Sequence, residues 1–204
     1  MNLIIISASQ RKNSQSVKVA QYIAESVTGY EKVTHFELCQ YNLPLWDGTQ
    51  EGKSSQQSDW PLLNEQINQA DAFVMITPEW GGMASPLLKN LLLMCSSQDT
   101  AHKPVLLVGL SSGISGVYPI AELRMNAFKN NKLVAIPDHL VIRNVEEILN
   151  SDNEAELAER DTQVRHRIGY SLHVLYHYSA SLQALRTNLS IHPYTNEERY
   201  SYGM

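Results

Sequence analysis

Residues 72–90 have the sequence AFVMITPEWGGMASPLLKN. The first part, residues 72–76, is apolar without interruption, which is typical of a central parallel strand covered by helices on both faces. Gly81 and Gly82 follow in a tight turn, and Pro86 suits the first turn of a helix. The stretch predicts a buried strand that passes through a glycine turn into a helix, and such a turn can bring backbone N–H groups against a flat ligand.

Similar strand-to-helix units are predicted along most of the chain. Further apolar runs predict strands at residues 3–6, 105–108 and 133–136, and a mixed segment with three apolar members, Val33, Phe36 and Leu38, predicts one at residues 33–38. Helical patterns lie between the strands: one capped by Ser14, one from Asp59 or Trp60 to Ile67, one from Pro86 to about Ser96 and one from Pro119 to Phe128. Alternating strands and helices predict a doubly wound parallel α/β sheet. Five strands favour the flavodoxin-like order 2-1-3-4-5 over the larger dinucleotide-binding fold.

Two segments lie outside this plan. Residues 47–58 are polar and predict a surface loop. Residues 153–189 predict a helix with an apolar stripe, and residues 190–204 form a polar, tyrosine-rich tail. The stripe contains Val164, Ile168, Leu172, Leu175, Leu182 and Leu185. We expect one domain over residues 1–150 and an extension over residues 151–204 that packs on the same domain or on a partner subunit.

Composition narrows the class of protein. The net charge of −5 argues against broad attraction to nucleic acid or anionic lipid. The two cysteines, Cys39 and Cys95, are far apart and fit a reducing compartment rather than a disulfide framework. The first apolar run is too short for a signal peptide, and no run approaches the length of a membrane span. We expect a cytoplasmic protein with no nucleic-acid or membrane partner.

The predicted sheet brings three polar loops to one edge. Ligands of doubly wound sheets bind beyond the carboxyl ends of the strands, where the strand order reverses. The loop at residues 7–16 offers hydroxyls, the fork of Arg11 and the N–H groups of a helix start, which together suit a phosphate monoester. A P-loop and a G-x-G-x-x-G motif are both missing, which disfavours ATP and a Rossmann-bound dinucleotide. The alternative is a solvated loop in which Ser14 is only an N-cap.

The other two loops suit a planar ring. Gly81 and Gly82 would let a ring approach the backbone, and Trp80 would flank it or pack across a subunit interface. Residues 111–116 would place donors near the ring edge, where they would stabilise a reduced, anionic flavin. Ordinary strand-end turns, with Trp80 buried in one of them, remain the alternative for both loops.

With these loops the sequence resembles the NAD(P)H-dependent FMN reductases of the flavodoxin-like group, which include quinone, azo-dye and chromate reductases. The start motif of that family, G-S-x-R-x-x-S-x-N, corresponds to ASQRKNSQS at residues 8–16. Its central P-E-Y-N segment and the following proline helix with L-K-N correspond to residues 78–81 and 86–90. Its serine- and glycine-rich turn before an L-R helix corresponds to residues 111–116, followed by Leu123 and Arg124. The resemblance covers roughly residues 1–150.

The resemblance implies the cofactor site. FMN would be the bound cofactor and NAD(P)H the co-substrate, and no metal is expected. The phosphate would be held by residues of the first loop: Ser9, Arg11, Ser14, Gln15 and Ser16. The isoalloxazine ring would lie against the second loop, mainly its backbone, and its pyrimidine end against the third: Pro78, Glu79, Trp80, Gly81, Ser111, Ser112 and Gly113. Trp80 and Gly81 replace the tyrosine and asparagine of the family, which bears on substrate choice more than on FMN binding.

The resemblance also implies the reaction. A nicotinamide would pass hydride to the flavin N5, leave, and be replaced by a small-molecule electron acceptor such as a quinone or a flavin. We therefore predict no catalytic side chain, ping-pong kinetics and a homodimer or homotetramer. The alternatives are an FMN-binding electron-transfer or redox-regulatory module without efficient NAD(P)H turnover, and a relative that has lost flavin.

A pair of histidines, one cysteine and one lysine could suggest chemistry, but each is better interpreted as a structural residue. His173 and His177 have the i, i+4 spacing of metal ligands, but the sequence offers no evident third ligand, and a packed helix face is favoured. Cys95 is expected in the core. Lys89 is expected to pair with Glu79 or with a neighbouring subunit.

Overall fold

The structure is a computed structural model that describes residues 1–151, 153 and 157–200. Within these residues, five parallel strands form the centre of the molecule. The strands are β1 (Asn2–Ser7), β2 (Lys32–Glu37), β3 (Ala72–Pro78), β4 (Pro104–Leu110) and β5 (Val134–Ile142). Their order is β2-β1-β3-β4-β5 and every pairing is parallel, which confirms the predicted flavodoxin-like sheet. The chain runs outward from β1 to β2 on one side and from β3 to β5 on the other, so the strand order reverses between β1 and β3.

The helices largely follow the sequence signals. They are α1 (Gln15–Ser26), α2 (Gln50–Lys53), α3 (Trp60–Gln69), α4 (Pro86–Met94), α5 (Ser97–Thr100), α6 (Tyr118–Asn126) and α7 (Glu159–Ile191). Ser14 caps α1 as predicted, since its Oγ accepts the N–H of Val17 at 3.4 Å. Pro86 and Pro119 lie in the first turns of α4 and α6. The predicted starts of these three helices are therefore confirmed.

The sheet is covered on both faces. Helices α1 and α7 pack on one face, against the layer that contains Leu3 and Ile5. Helices α3, α4 and α6 pack on the other face, against the layer that contains Ile4 and Ile6. Strand β3 is buried from Ala72 to Thr77, because both of its faces contribute to the core. The buried strands form a rigid platform for the loops at their ends.

The C-terminal helix α7 belongs partly to the same core. Ile168, Leu172 and Leu175 are buried in the α1-side layer. Further along, Leu182 is half-buried and Leu185 is 39% exposed, so the end of the predicted apolar stripe leaves the core. Residues 154–156 of the predicted helix and residues 201–204 of the predicted tail lie outside the described residues. Across the described chain, no helix combines the length and apolar character needed to cross a membrane.

Strand β5 is longer than the predicted run of residues 133–136. It continues to Ile142 through Pro137, Asp138 and His139, which interrupt the apolar pattern, and its register with β4 shifts between Val105 and Leu107. The Arg124 guanidinium binds the backbone carbonyls at this irregularity, including that of Pro137 at 3.1 Å. A side chain from α6 thus stabilises a strand whose sequence alone indicates a break.

The prediction of a surface loop at residues 47–58 is wrong in part. The segment contains α2, and Lys53 at the end of this helix is buried. Its Nζ donates to the carbonyl of Met94 at 2.9 Å and lies 5.1 Å from the ring centroids of Trp46 and Trp60. The two indole rings and the carbonyl at the end of α4 therefore stabilise the buried Lys53 ammonium group, although the polar sequence of the segment predicts that it is exposed to solvent.

Lys103 gives the fold a pH dependence. Its buried Nζ donates to the carbonyls of Ile67 and Asn68 at 2.9 and 2.7 Å, and burial lowers its pKa from 10.5 to about 8. Between these two pH values the unfolded chain binds more protons at Lys103 than the folded chain, so the free energy of unfolding rises with pH. We expect Lys103→Met to remove this rise in urea titrations across the window. The exposed Lys32→Met is the matched control, and identical slopes for wild type and Lys103→Met would contradict the assignment.

Candidate functional site

A cavity of about 340 Å³ lies at the carboxyl ends of the strands, beside the point where the strand order reverses. Most of the predicted site residues line it: Ser9, Arg11, Ser14, Gln15, Ser16, Pro78, Glu79, Trp80, Ser111 and Ser112. Gly81 and Gly113 lie in the same loops but do not line the cavity. A larger cavity of about 460 Å³ lies between α4 and the end of α6, and it contains none of the predicted residues. The fold thus gathers three loops from distant parts of the chain around one space.

The first loop has the features of an anion site. Ser14 caps the N–H of Val17, but a helix start leaves its first N–H groups without an intrahelical acceptor, and a helix N-terminus attracts negative charge. The Ser9 Oγ accepts the N–H of Arg11 at 3.1 Å, which folds the loop, and Ala8 N–H donates to the Ile76 carbonyl at 2.9 Å, which ties it to β3. The Gln15 Oε1 is buried and has no hydrogen-bond partner within the described chain. Since buried polar atoms normally have partners, this oxygen indicates that a donor belongs in the cavity.

A cation–π contact joins the first loop to the second. The Arg11 guanidinium carbon lies 5.2 Å from the centroid of the Trp80 ring. Arg11 is exposed and Trp80 is half-buried. The side chain predicted to bind phosphate therefore also covers part of the indole predicted to flank the ring.

The two glycines of the second loop have a conformational role. Trp80 and Met83 exchange backbone hydrogen bonds of 3.2 and 3.1 Å, with Gly81 and Gly82 between them at φ angles of +59° and +77°. Such a two-residue turn requires positive φ at both central positions. A Cβ atom at Gly82 would meet nothing within 4 Å, and one at Gly81 would meet only the end of Met83 at 3.8 Å. Backbone conformation, rather than crowding by the protein, requires glycine here.

Glu79 connects the second loop to the third. One carboxylate oxygen accepts the hydroxyl of Ser115, and the other accepts the N–H of Gly116 at 2.6 Å. The predicted pairing of Lys89 with Glu79 is wrong: Lys89 Nζ lies 2.9 Å from Glu122 Oε1. Glu122 projects from α6 toward α4, whereas Glu79 turns to the third loop.

Glu122 holds the far end of the glycine turn. Its second oxygen accepts the N–H of Ala84 at 2.7 Å. Partial burial of Glu122 opposes ionisation, but this hydrogen bond and the one from Lys89 hold the pKa of its carboxyl below the usual range. The residues after Gly82 are therefore tied to α6.

A fourth segment, residues 145–150, completes the wall. Val145 and Glu146 line the cavity, although sequence reasoning missed them. Lys18 of α1 holds this segment, since its Nζ donates to the carbonyls of Val145 and Ile148 at 2.8 and 2.7 Å. Val145 N–H donates to the Ser111 carbonyl at 3.1 Å, which joins this segment to the third loop. The missed signal was the length of β5, which brings the following loop to the same sheet edge.

The remaining candidates lie elsewhere. The rings of His173 and His177 are 4.5 Å apart in an edge-to-face arrangement. Within the described residues, no three His, Cys, Asp or Glu side chains form a group suited to a metal ion. Cys95 is in the core as predicted, and burial raises the pKa of its thiol to about 12.

Comparison with known proteins identifies the family. The sequence model of the NADPH-dependent FMN reductases matches residues 1–147. The chain belongs to this family. The expected family, its FMN cofactor and its nicotinamide co-substrate are thereby confirmed, with NADPH as the form that the family uses, and the chain is an oxidoreductase of this type.

Individual relatives agree with this placement. An NADPH azoreductase from Bacillus sp. (strain OY1-2) is 32% identical over 57% of this chain, and the match spans 62% of that relative. An FMN-dependent NADPH-azoreductase from Staphylococcus saprophyticus is 26% identical over 82% of this chain and 90% of its own length. The crystal structure of an oxidoreductase from Corynebacterium diphtheriae has the same fold, with a TM-score of 0.68 at 15% identity over 88% of this chain and 97% of that one.

The cavity fits the cofactor of the family. A helix N-terminus with several hydroxyls suits a phosphate, and the unpartnered Gln15 oxygen suits a hydroxyl or N–H donor of a ligand. Pro78, Glu79 and Trp80 of the second loop and the two serines at the start of the third loop line the same space. The polar groups that line the cavity therefore suit an elongated ligand with an anionic group at one end.

Proposed function

We propose that this FMN reductase binds FMN in the cavity of about 340 Å³ and passes hydride from NAD(P)H, through FMN, to a quinone, a flavin or a similar small-molecule acceptor. The observation that carries the proposal is that the N-terminus of α1 and two polar loops meet in one cavity beside the β1–β3 reversal. The family match and the azoreductase relatives support the reaction type.

The first loop would hold the phosphate. The hydroxyls of Ser9, Ser14 and Ser16 and the N–H groups of the α1 start would surround it, with Arg11 adding charge and Gln15 meeting the adjoining chain. The second loop would support the isoalloxazine through the backbone of Pro78, Glu79, Trp80 and Gly81. The third loop would face the pyrimidine end with Ser111, Ser112 and Gly113.

The protein's contribution to the reaction would be orientation rather than proton transfer. Bound FMN supplies the chemistry by accepting and donating hydride at N5. Donors from residues 111–113 would favour the negatively charged reduced ring. Trp80 would limit access of water and substrate from one side. We assign no side chain as acid or base.

A second candidate is an FMN-binding electron carrier or redox regulator. It is favoured by one observation, the contact between Arg11 and Trp80, two side chains that line the cavity. If this contact persisted with the cofactor bound, a nicotinamide would have little room to reach the ring.

Spectroscopy and turnover decide between these functions. We expect purified protein to show bound FMN by absorbance and to oxidise NADPH with menadione as acceptor. Because both substrates would use one site in turn, double-reciprocal plots at several menadione concentrations should be parallel. Bound FMN without NADPH oxidation would favour the carrier, and protein that does not bind added FMN would exclude both functions.

The phosphate role of Arg11 can be separated from its contact with Trp80. We expect Arg11→Ala to weaken FMN binding by about 1.5–3 kcal/mol, since a charge-assisted bond to phosphate is lost. Affinity for riboflavin, which has the ring but no phosphate, should change little. Trp80→Leu is the matched control because it removes the stacking partner and keeps the guanidinium. An equal loss for FMN and riboflavin in Arg11→Ala would assign Arg11 to the ring instead.

We also propose a cytoplasmic location, at least a homodimer, and a division into an FMN-binding domain at residues 1–150 with an extension at residues 151–204. Free Cys39 and Cys95 support a reducing compartment.

The exposed apolar side chains of α7, among them Ile191 at 63%, support the proposed contact between subunits. Sedimentation equilibrium should give a mass of two or more chains, and a monomer at micromolar concentration would contradict the assembly.

A further inference from the structure

We infer that Glu79 is a positioning residue: its carboxylate fixes the third loop, residues 111–116, above the cavity so that the donors of that loop face the cofactor. This inference rests on the proposed function. The carboxylate accepts the Ser115 hydroxyl with one oxygen and the Gly116 N–H, at 2.6 Å, with the other. These partners are 36 and 37 positions away in sequence, so the contact joins two separate loops.

The far end of the third loop has little freedom below the carboxylate. Gly116 has a φ of +106°, and its carbonyl oxygen lies only 2.2 Å from where a Cβ atom of Gly109 would stand. A Cβ atom on Gly116 would itself approach Val141 to 3.0 Å. The loop therefore folds tightly onto β4 and β5, and only glycine at these positions permits the approach.

The peptide that Glu79 binds is held from the other side as well. Arg143 Nε donates to the Ser115 carbonyl at 3.0 Å. At the start of the loop, Ser111 N–H donates to the Ile142 carbonyl at 3.0 Å, and Ser111 Oγ accepts the Gly113 N–H at 3.1 Å. Between these anchors Ile114 is 87% exposed. Loss of Glu79 would leave the Ser115 hydroxyl and the Gly116 N–H without their acceptor, and the Arg143 bond would then hold this peptide from one side only.

The geometry favours orientation over proton transfer as the role of this carboxylate. Both of its oxygens accept hydrogen bonds from the protein. The backbone of Glu79 is also fixed, since its N–H donates to the Leu110 carbonyl at 2.9 Å. The side chain thus couples the end of β3 to the loop that follows β4, and it lines the cavity while doing so.

Two substitutions separate geometry from charge. In Glu79→Gln the amide oxygen can accept the Gly116 N–H and the amide nitrogen can donate to the Ser115 oxygen, so the loop should stay in place without the charge. In Glu79→Ala both donors lose their acceptor. We expect Glu79→Ala to weaken FMN binding roughly ten- to hundredfold, the range for lost hydrogen bonds to a charged group, and Glu79→Gln to remain near wild type. The exposed Glu65→Ala is the control for loss of a surface carboxylate.

The reduction potential of bound FMN gives a readout that a general loss of stability would not move. With FMN saturating, the potential of Glu79→Ala should become more negative, because donors that favour the reduced ring are displaced. That of Glu79→Gln should not fall. A role through charge alone predicts the opposite, a more positive potential in both variants, and would overturn the inference. So would a Glu79→Ala protein with wild-type affinity and potential.

Ser115→Ala keeps the test decisive if Glu79→Ala does not fold. It removes one of the two donors and retains the backbone bond, so FMN affinity should fall by less than in Glu79→Ala, and unchanged affinity would count against the inference.

Failure of the proposed function gives a different result from failure of this inference, because wild type would then fail to bind FMN or to oxidise NADPH. In that event, hydrogen exchange of residues 111–116 in the cofactor-free protein tests the positioning role of Glu79. Faster exchange in Glu79→Ala than in Glu79→Gln supports this role, and equal exchange rates reject it.

Discussion

The parallel pairing of β1 with β3 is the constraint on which the site depends. It sets Ser7 beside Ile76, so that the first loop and the glycine turn start from neighbouring strand ends. Pairing of β3 with β4 then sets Pro78 beside Leu110 and brings in the third loop. Because the strands are buried between two helical layers, their ends cannot shift independently. The cavity is thus a consequence of register, and a change that slips one strand would separate all three loops.

Above this platform, polar contacts between loops determine the shape of the cavity. Arg11 contacts Trp80, Glu79 binds residues 115 and 116, and Lys18 holds the segment that follows β5. Each contact joins segments from different parts of the sequence. In each of these contacts a charged side chain lies close to its partner. The contacts stabilise the open, concave wall of the cavity, which does not pack against the apolar core. Such contacts suit a site that must keep its form with and without a ligand.

The sequence predicted the parts of the molecule that depend on local pattern. Apolar runs predicted most of the strands, and Ser14 and Pro86 predicted helix starts, because caps and periodicity act within a few residues. It did not predict the ladder irregularity in β5 or the burial of Lys53. Those features depend on Arg124 and on two tryptophans far away in the chain. The Glu79 contact spans 36 residues and the Lys18 contact with Ile148 spans 130, so no spacing in the sequence announces them.

The departures from the family motif act on different properties of the same turn. Gly81 stands where the family has asparagine, and asparagine is the residue after glycine that best tolerates positive φ. The backbone of the turn can therefore be the same in both cases, and with it any contact that a cofactor makes to main-chain groups. What changes is the surface beside the ring: an amide is absent at position 81, and an indole that contacts Arg11 stands at position 80. In this arrangement the main chain would govern the binding of FMN, whereas the side chains of the turn would govern which acceptor can stack upon it.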